Sequence, residues 1–212
     1  MRKKLDLFLI RSTDILAAAL LLILSFPFAA FALLLSALFI GFPPVYISVR
    51  IGKGGRPFKH IKIKSLLPGK EMGRIFMEQD RLNRCGKFLR GSHLDEIPEL
   101  LHIIAGKMSF VGPRPLPAKL LEGLDVGDRH SVRPGWTCTA QIALLRKGWL
   151  NQYLQLRLDN IYAHKRSFRY NMSILAATIR SYFVRSELDL STVRRECAGS
   201  AKAEAEKAES AE

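Results

Sequence analysis

The sequence predicts an α/β protein that is mostly helical. It has an N-terminal membrane helix, a small cytosolic domain with a short β-hairpin, and amphipathic helices that lie at a membrane interface. Three observations lead there. Ile15 to Val49 is a run of 35 residues without a charge. Two short runs of strand-forming residues flank a glycine-rich loop at Gly52–Pro57. Helical spacing with interleaved aromatic and basic residues runs from Leu150 to Arg185. At 212 residues the chain is one domain with appendages. It divides as 1–44 for the membrane helix, 45–190 for the cytosolic domain and 191–212 for a low-complexity tail.

The N-terminal run is too long for the 7–15-residue apolar core of a signal peptide. One membrane crossing takes about 20 residues and two take about 40 plus a turn, so 35 fits neither closely. Pro27 lies inside the run and should kink or break a helix. Basic residues flank both ends: Arg2, Lys3, Lys4 and Arg11 before it, and Arg50, Lys53, Arg56 and Lys59 after it. Positive charge stays on the cytoplasmic side, so both flanks are expected there. A helix that enters, breaks near Pro27 and returns meets these facts, with the Ser25 hydroxyl satisfying the freed backbone. A tilted spanning helix also accommodates the length, and the residues leave the two open.

The formal net charge is +14 and the pI about 10, which points to an anionic partner such as nucleic acid, anionic lipid or a phosphorylated substrate. The three cysteines, Cys85, Cys138 and Cys197, form no CxxC pair, and the five histidines form no HxxxH or HExxH arrangement. A disulfide framework, a zinc site and transition-metal hydrolysis are therefore not expected.

After Pro43-Pro44, Val45–Val49 reads as a strand, and Phe58–Lys64 alternates apolar with basic residues. Together they predict a two-stranded ribbon with a lysine-rich face, placed at the headgroup surface. The loop between them lacks P-loop spacing. Residues 66–80 read as loop or short helix. Arg81, Arg84, Lys87 and Arg90 then lead into Ser92-His93-Leu94-Asp95-Glu96-Ile97-Pro98. Proline is tolerated in the first helical turn, so a helix is expected from about Asp95 to Ile104, stopped at Ala105-Gly106. That would set Asp95 and Glu96 at a helix N-terminus, which suits an ordinary acidic cap and equally suits a phosphate or metal–phosphate site.

Two stiff arginine segments follow. In Gly112-Pro113-Arg114-Pro115 the prolines fix the backbone on both sides of one guanidinium, which lowers the entropy lost when it grips a phosphate. Arg133-Pro134-Gly135-Trp136-Thr137-Cys138-Thr139-Ala140-Gln141 is the second. Further on, Asp159 and Tyr162 share a helix face. Aromatics interleaved with Arg157, Lys165, Arg166, Arg169, Arg180 and Arg185 suit helices in a membrane interface.

These segments, in this order, resemble the bacterial sugar transferase family, the monotopic phosphoglycosyl transferases. The resemblance covers about residues 4–185. It is most specific in Leu94–Pro98 and Met108–Pro115, with Arg133-Pro134-Gly135, Thr137 and Gln141 matching a third block. Arg11, Asp14, Ser25 and Pro27 match the family's membrane approach and helix break.

The resemblance implies a re-entrant helix on the cytoplasmic face of a bacterial inner membrane. It also implies transfer of a phosphosugar from a UDP-sugar to polyprenyl phosphate, with release of UMP. Asp95 would be the nucleophile that carries a covalent phosphosugar. Glu96 would assist it with Mg²⁺ or in proton removal, the two carboxylates serving as the metal ligands. Arg114, framed by Pro113 and Pro115, would bind the substrate with Lys62, Lys64, Arg90, Arg133 and Gln141. The partners are then a UDP-sugar, polyprenyl phosphate and the bilayer, without nucleic acid, and with a homodimer left open.

The chain departs from the family pattern at Phe26 before Pro27, at Lys107, at His102 where asparagine is expected, and at Cys138 where glycine is expected. A membrane-anchored scaffold without catalysis is the alternative. A nucleic-acid binder would rest on charge alone, since no nucleic-acid-binding motif is present.

Overall fold

The computed structural model describes residues 2–71, 74–75, 81–147 and 151–183. The tail at 191–212, Arg185, Cys197 and much of the ambiguous 66–80 stretch lie outside them. The described residues are mostly helical, with three two-stranded sheets.

Helix α1 spans Arg2–Phe39. By length and composition it is long and apolar enough to cross a membrane. Pro27 lies within it, so the expected break does not divide it into two elements. Nor does Ser25 act as anticipated. Pro27 frees the carbonyl of Ile23, four residues back, whereas Ser25 Oγ donates to Leu22 O at 3.5 Å. Large apolar side chains on α1 stay exposed, among them Ile23, Leu24, Phe26, Phe28 and Leu38. Apart from Ile10, its buried positions are small or polar: Asp14, Ala18, Ala32 and Ser36. These let the globular part approach closely.

Polar contacts near both ends pin α1 to that part. Arg11 donates to Ile103 O and Ile104 O at 2.7 and 2.8 Å. Asp14 accepts from Ser109 Oγ at 2.7 Å and from Phe110 N at 3.1 Å. Toward the other end, Ser36 Oγ donates to Lys64 O at 2.7 Å, and Phe39 O accepts from Asn83 Nδ2 at 2.7 Å. Arg11 and Asp14 thus dock α1 onto the globular part.

The expected hairpin forms from β1 (Val45–Ile51) and β2 (Pro57–Ile63), antiparallel, with Tyr46 opposite Lys62. Short β3 (Lys70–Glu71) and β4 (Arg74–Ile75) pair next, followed by α2 (Arg84–Gly91). Asn83 caps α2, accepting from Gly86 N at 2.7 Å. Helix α3 covers only Glu99–Ile104. Strands β5 (Ser109–Val111) and β6 (Gly135–Thr137) pair in parallel. Gly112 and Gly135 make that contact possible, since a Cβ on either would collide with the other's backbone. Helices α4 (Thr139–Lys147), α5 (Gln152–Lys165) and α6 (Phe168–Phe183) complete the domain.

Two apolar clusters join α1 to the rest. Ala18 packs with Ile97, Leu100, Ile103 and Met108. Ala32 and Ile40 pack with Ile63 and Leu89. The surface between them is where β2, α2 and α3 converge.

Candidate active site

The acidic pair sits in a 3-10 turn, Leu94–Glu96, between α2 and α3. This corrects the expectation of a helix beginning at Asp95. Pro98 has no N–H and takes the N-cap position of α3, so α-helical bonding starts only beyond it. Before the turn, His93 adopts a left-handed backbone with φ 56°, the only non-glycine with positive φ among the described residues. A 3-10 turn rotates successive side chains by about 120°. Asp95 and Glu96 therefore face different partners.

Glu96 is locked. Lys62 Nζ donates to its Oε1 at 2.6 Å, Trp136 Nε1 donates to its Oε2 at 3.2 Å, and His93 Nδ1 lies 3.5 Å from Oε2. Burial would raise this carboxyl, but the His93 and Lys62 contacts outweigh it and hold Glu96 well below the usual range. Lys62 also reaches Glu99 Oε1 at 2.9 Å. Burial opposes its charge, yet the two carboxylates raise its pKa on balance. Lys62 thus does not belong to a solvated lysine face toward headgroups, as the alternation suggested. It is the centre of a three-residue ion cluster. The bond to Glu96 raises the pKa of His93 as well.

Asp95 is 6% exposed and makes no hydrogen bond to another described residue. Burial, then the charge of Glu96, pushes its carboxyl up to about 6, against the pull of Lys62, Arg90 and His93. It opens on a cavity of about 710 Å³. Six basic side chains line that cavity: Arg50, Lys62, Lys64, Arg81, Arg90 and Arg114. One ionisable carboxylate with open lone pairs, set among cations, is the arrangement a nucleophile toward a diphosphate requires.

The structure brings together most of the residues singled out in the sequence. Lys62, Lys64, Arg90, Asp95, Glu96 and Arg114 line one cavity. Arg90 Nε donates to Ser65 Oγ at 3.0 Å. Arg114 is exposed between buried Pro113 and Pro115, so the prolines serve as its frame. Gln141 and Pro115 line a smaller adjoining recess. Arg133 does not join them. Its Nε donates to Gly106 O at 2.8 Å, across the end of α3 that Arg11 also holds. It is a brace for α3, because the carbonyls at a helix C-terminus lack intrahelical partners and attract cations.

Several residues take roles that no sequence signal assigned to them. Arg129 is 2% exposed and bonds Asp159 Oδ2 at 3.0 Å. A further contact, Arg129 Nη2 to Arg114 O at 2.7 Å, fixes the backbone of the cavity arginine. Burial pushes the Asp159 carboxyl up to about 6 despite Arg129. Tyr162 Oη lies 2.8 Å from Val111 O, so the face shared by Asp159 and Tyr162 packs inward. His102, at a departure from the family pattern, accepts from Ile61 N at 3.0 Å and stacks on His60 with centroids 5.7 Å apart. Burial and then the neighbouring His60 lower its pKa, consistent with a neutral acceptor. Burial pushes the Cys138 thiol up to about 12, which makes it a packing residue. Glu99 was detectable in principle, since it follows Glu96 by three, and His60 and Lys62 share a strand face.

Among the described residues no group of three or more His, Cys, Asp or Glu gathers to hold a metal. Mg²⁺ commonly needs only one or two carboxylates, with substrate phosphates and water filling the rest. Asp95 could supply one. Both Glu96 oxygens are already engaged.

The sequence model of the family described as Bacterial sugar transferase matches residues 5–185. The chain is 32% identical over 180 residues to the uncharacterized sugar transferase EpsL of Bacillus subtilis, covering 82% of this chain and 87% of that protein. It is 35% identical over 149 residues to the UDP-glucose:undecaprenyl-phosphate glucose-1-phosphate transferase of Caulobacter vibrioides, covering 65% of this chain and 55% of that protein. The Escherichia coli enzyme of the same name is 30% identical over 191 residues, covering 82% of this chain but 40% of its own length.

Proposed function

The chain belongs to the bacterial sugar transferase family, and on that premise we propose that it transfers a phosphosugar from a UDP-sugar to polyprenyl phosphate. The observation that carries this reading is Asp95: buried, without a hydrogen bond to another described residue, and facing six basic side chains in one cavity. Relatives named for a UDP-sugar and undecaprenyl phosphate support the substrate classes.

On this reading the reaction has two steps. An Asp95 carboxylate oxygen attacks the phosphorus that bears the sugar. The bond from that phosphorus to the bridging oxygen breaks, and UMP leaves with the electron pair. Asp95 then carries the phosphosugar. A phosphate oxygen of the polyprenyl phosphate attacks the same phosphorus, the bond to Asp95 breaks, and polyprenyl-diphosphate-sugar forms with the carboxylate restored. A phosphate monoester has a second pKa near 6, so much of the acceptor is already dianionic at neutral pH and needs no base. Glu96, held ionised by Lys62 and His93, is accordingly assigned to fixing Lys62 and Trp136 rather than to proton removal. Arg114, Lys64 and Arg90 neutralise phosphate charge. Mg²⁺, held by Asp95 with phosphate oxygens, would supply further charge screening there.

The same reading places the domain on the cytoplasmic face of a bacterial inner membrane, with α1 re-entrant. Asp14 and Ser36 both bond to the globular domain. In a straight helix the 22 residue steps from one to the other would rise about 33 Å, close to the full hydrocarbon thickness of about 30 Å. Contacts at both positions support a helix that returns to the side it entered over one that crosses to the far side.

The test is UMP release by nanodisc-embedded protein given UDP-sugars, polyprenyl phosphate and Mg²⁺. Wild type should release UMP with at least one donor, and Asp95→Asn should not. Full activity in Asp95→Asn would refute the nucleophile assignment.

A further inference from the structure

Next to the main cavity lies a second recess of about 50 Å³. The two share Arg50, Lys62, Glu96 and Arg114 as walls. We infer that this recess receives a hydroxyl or acetamido substituent of the donor's sugar ring, and so decides which UDP-sugar is accepted. The inference rests on the transferase reading above and names the part of the substrate that this corner selects.

Three observations carry it. The first is position. The shared walls are the groups assigned to the phosphates and to Glu96, and the sugar is bonded directly to the phosphate under attack. A substituent a few bonds from that phosphorus falls where the recess opens. The second is size. At about 50 Å³ the recess has room for a few waters or for a substituent of a few heavy atoms. It is too small for a nucleobase or a whole hexose.

The third is chemistry. His60 lines the recess and is 3% exposed, yet neither ring nitrogen has a hydrogen-bond partner among the described residues. Its Nε2 lies 3.3 Å from Glu99 Oε1, without the alignment of a hydrogen bond. A buried imidazole in this state gains from any donor or acceptor that a small shift of the side chain brings within reach. Gln141 adds an amide with both capacities to the same lining. Trp136, its Nε1 committed to Glu96, belongs to the same lining. A neutral hydroxyl or amide substituent matches this set.

Selection by such a site is strong because the wrong sugar leaves buried polar groups unpaired. The experiment measures kcat/KM for UDP-glucose, UDP-galactose and UDP-N-acetylglucosamine in nanodisc-embedded wild type, Gln141→Leu and His60→Phe. UDP-galactose and UDP-N-acetylglucosamine each differ from UDP-glucose at one ring position, the first in the orientation of a hydroxyl and the second in an acetamido group. The expected result is a shift of about tenfold or more in the ratio between two donors in at least one variant. A common loss for all donors in both folded variants, with ratios kept within about twofold, would overturn the recess while leaving the transferase reading intact. Gln141→Leu keeps the test decisive if His60→Phe does not fold. Absence of UMP from wild type with every donor would remove the transferase reading, and the recess with it.

Discussion

Replacing Lys62 by methionine tests the ion cluster under the acidic pair. Lys62 Nζ sits 2.6 Å from Glu96 and 2.9 Å from Glu99, and the two carboxylates are 19% and 4% exposed. Methionine keeps most of the side-chain volume but leaves both carboxylates without their cation. Removing one partner of a buried pair costs about 3–5 kcal/mol. Lys62 is itself 24% exposed, so the low end, about 3 kcal/mol, is the expected loss. For a domain of this size that is a fall in Tm of roughly 6–12 °C. Adding Glu99→Gln to Lys62→Met removes one stranded charge and should recover part of the fall.

The pH dependence has a definite sign. Glu96 is depressed in the folded state, so its pairing contributes stability above its unfolded value of about 4.5 and loses it as pH falls through the folded value. The deficit of Lys62→Met relative to wild type should therefore narrow below about pH 4.5. The assay is thermal unfolding by circular dichroism in nanodiscs at pH 7 and pH 4. A drop under about 2 °C at pH 7, or no recovery in the double variant, would refute the cluster as a stabilising unit.

Two more predictions address the chemistry. With its carboxyl near 6, Asp95 is about nine-tenths ionised at pH 7 and about one-tenth at pH 5. UMP release in a single turnover without acceptor should fall about ninefold over that interval. A flat profile would show that ionisation of Asp95 does not limit the first step. Arg129→Met should destabilise the fold by about 3–5 kcal/mol by stranding Asp159, while Arg129→Met with Asp159→Leu should recover most of it. The double variant still lacks the hydrogen bond to Arg114 O, so its donor KM should rise severalfold with kcat little changed. An unchanged KM would mean that Arg114 is positioned by its prolines alone.

The residues of the site were legible wherever chemistry is local. Asp95-Glu96 and Pro113-Arg114-Pro115 stand out because consecutive residue types, and prolines that fix φ, carry the information within a few positions. The hairpin was legible because strand alternation has period two and the glycine-rich loop marks its turn. The start of α3 was misjudged by four residues. Capping preferences allow a helix at Asp95, and only the packing of Leu94, Ile97 and Leu100 against α1, with Pro98 at the N-cap, selects a 3-10 turn before it.

By itself the sequence determined a basic chain with a long apolar N-terminus, a family resemblance and a nucleophile candidate. Charge count, apolar run length and motif spacing are properties of the chain and survive unfolding. Only the tertiary structure decided that Lys62 belongs to Glu96 and Glu99, that Arg133 braces α3, and that Arg129 from a distant segment holds Arg114. Those assignments depend on distances between residues tens of positions apart. Such distances are set by which apolar faces bury against one another, and no local pattern records them. The same packing gave Asp95 its raised carboxyl, because burial, the largest cause of that shift, exists only once the chain has folded around it.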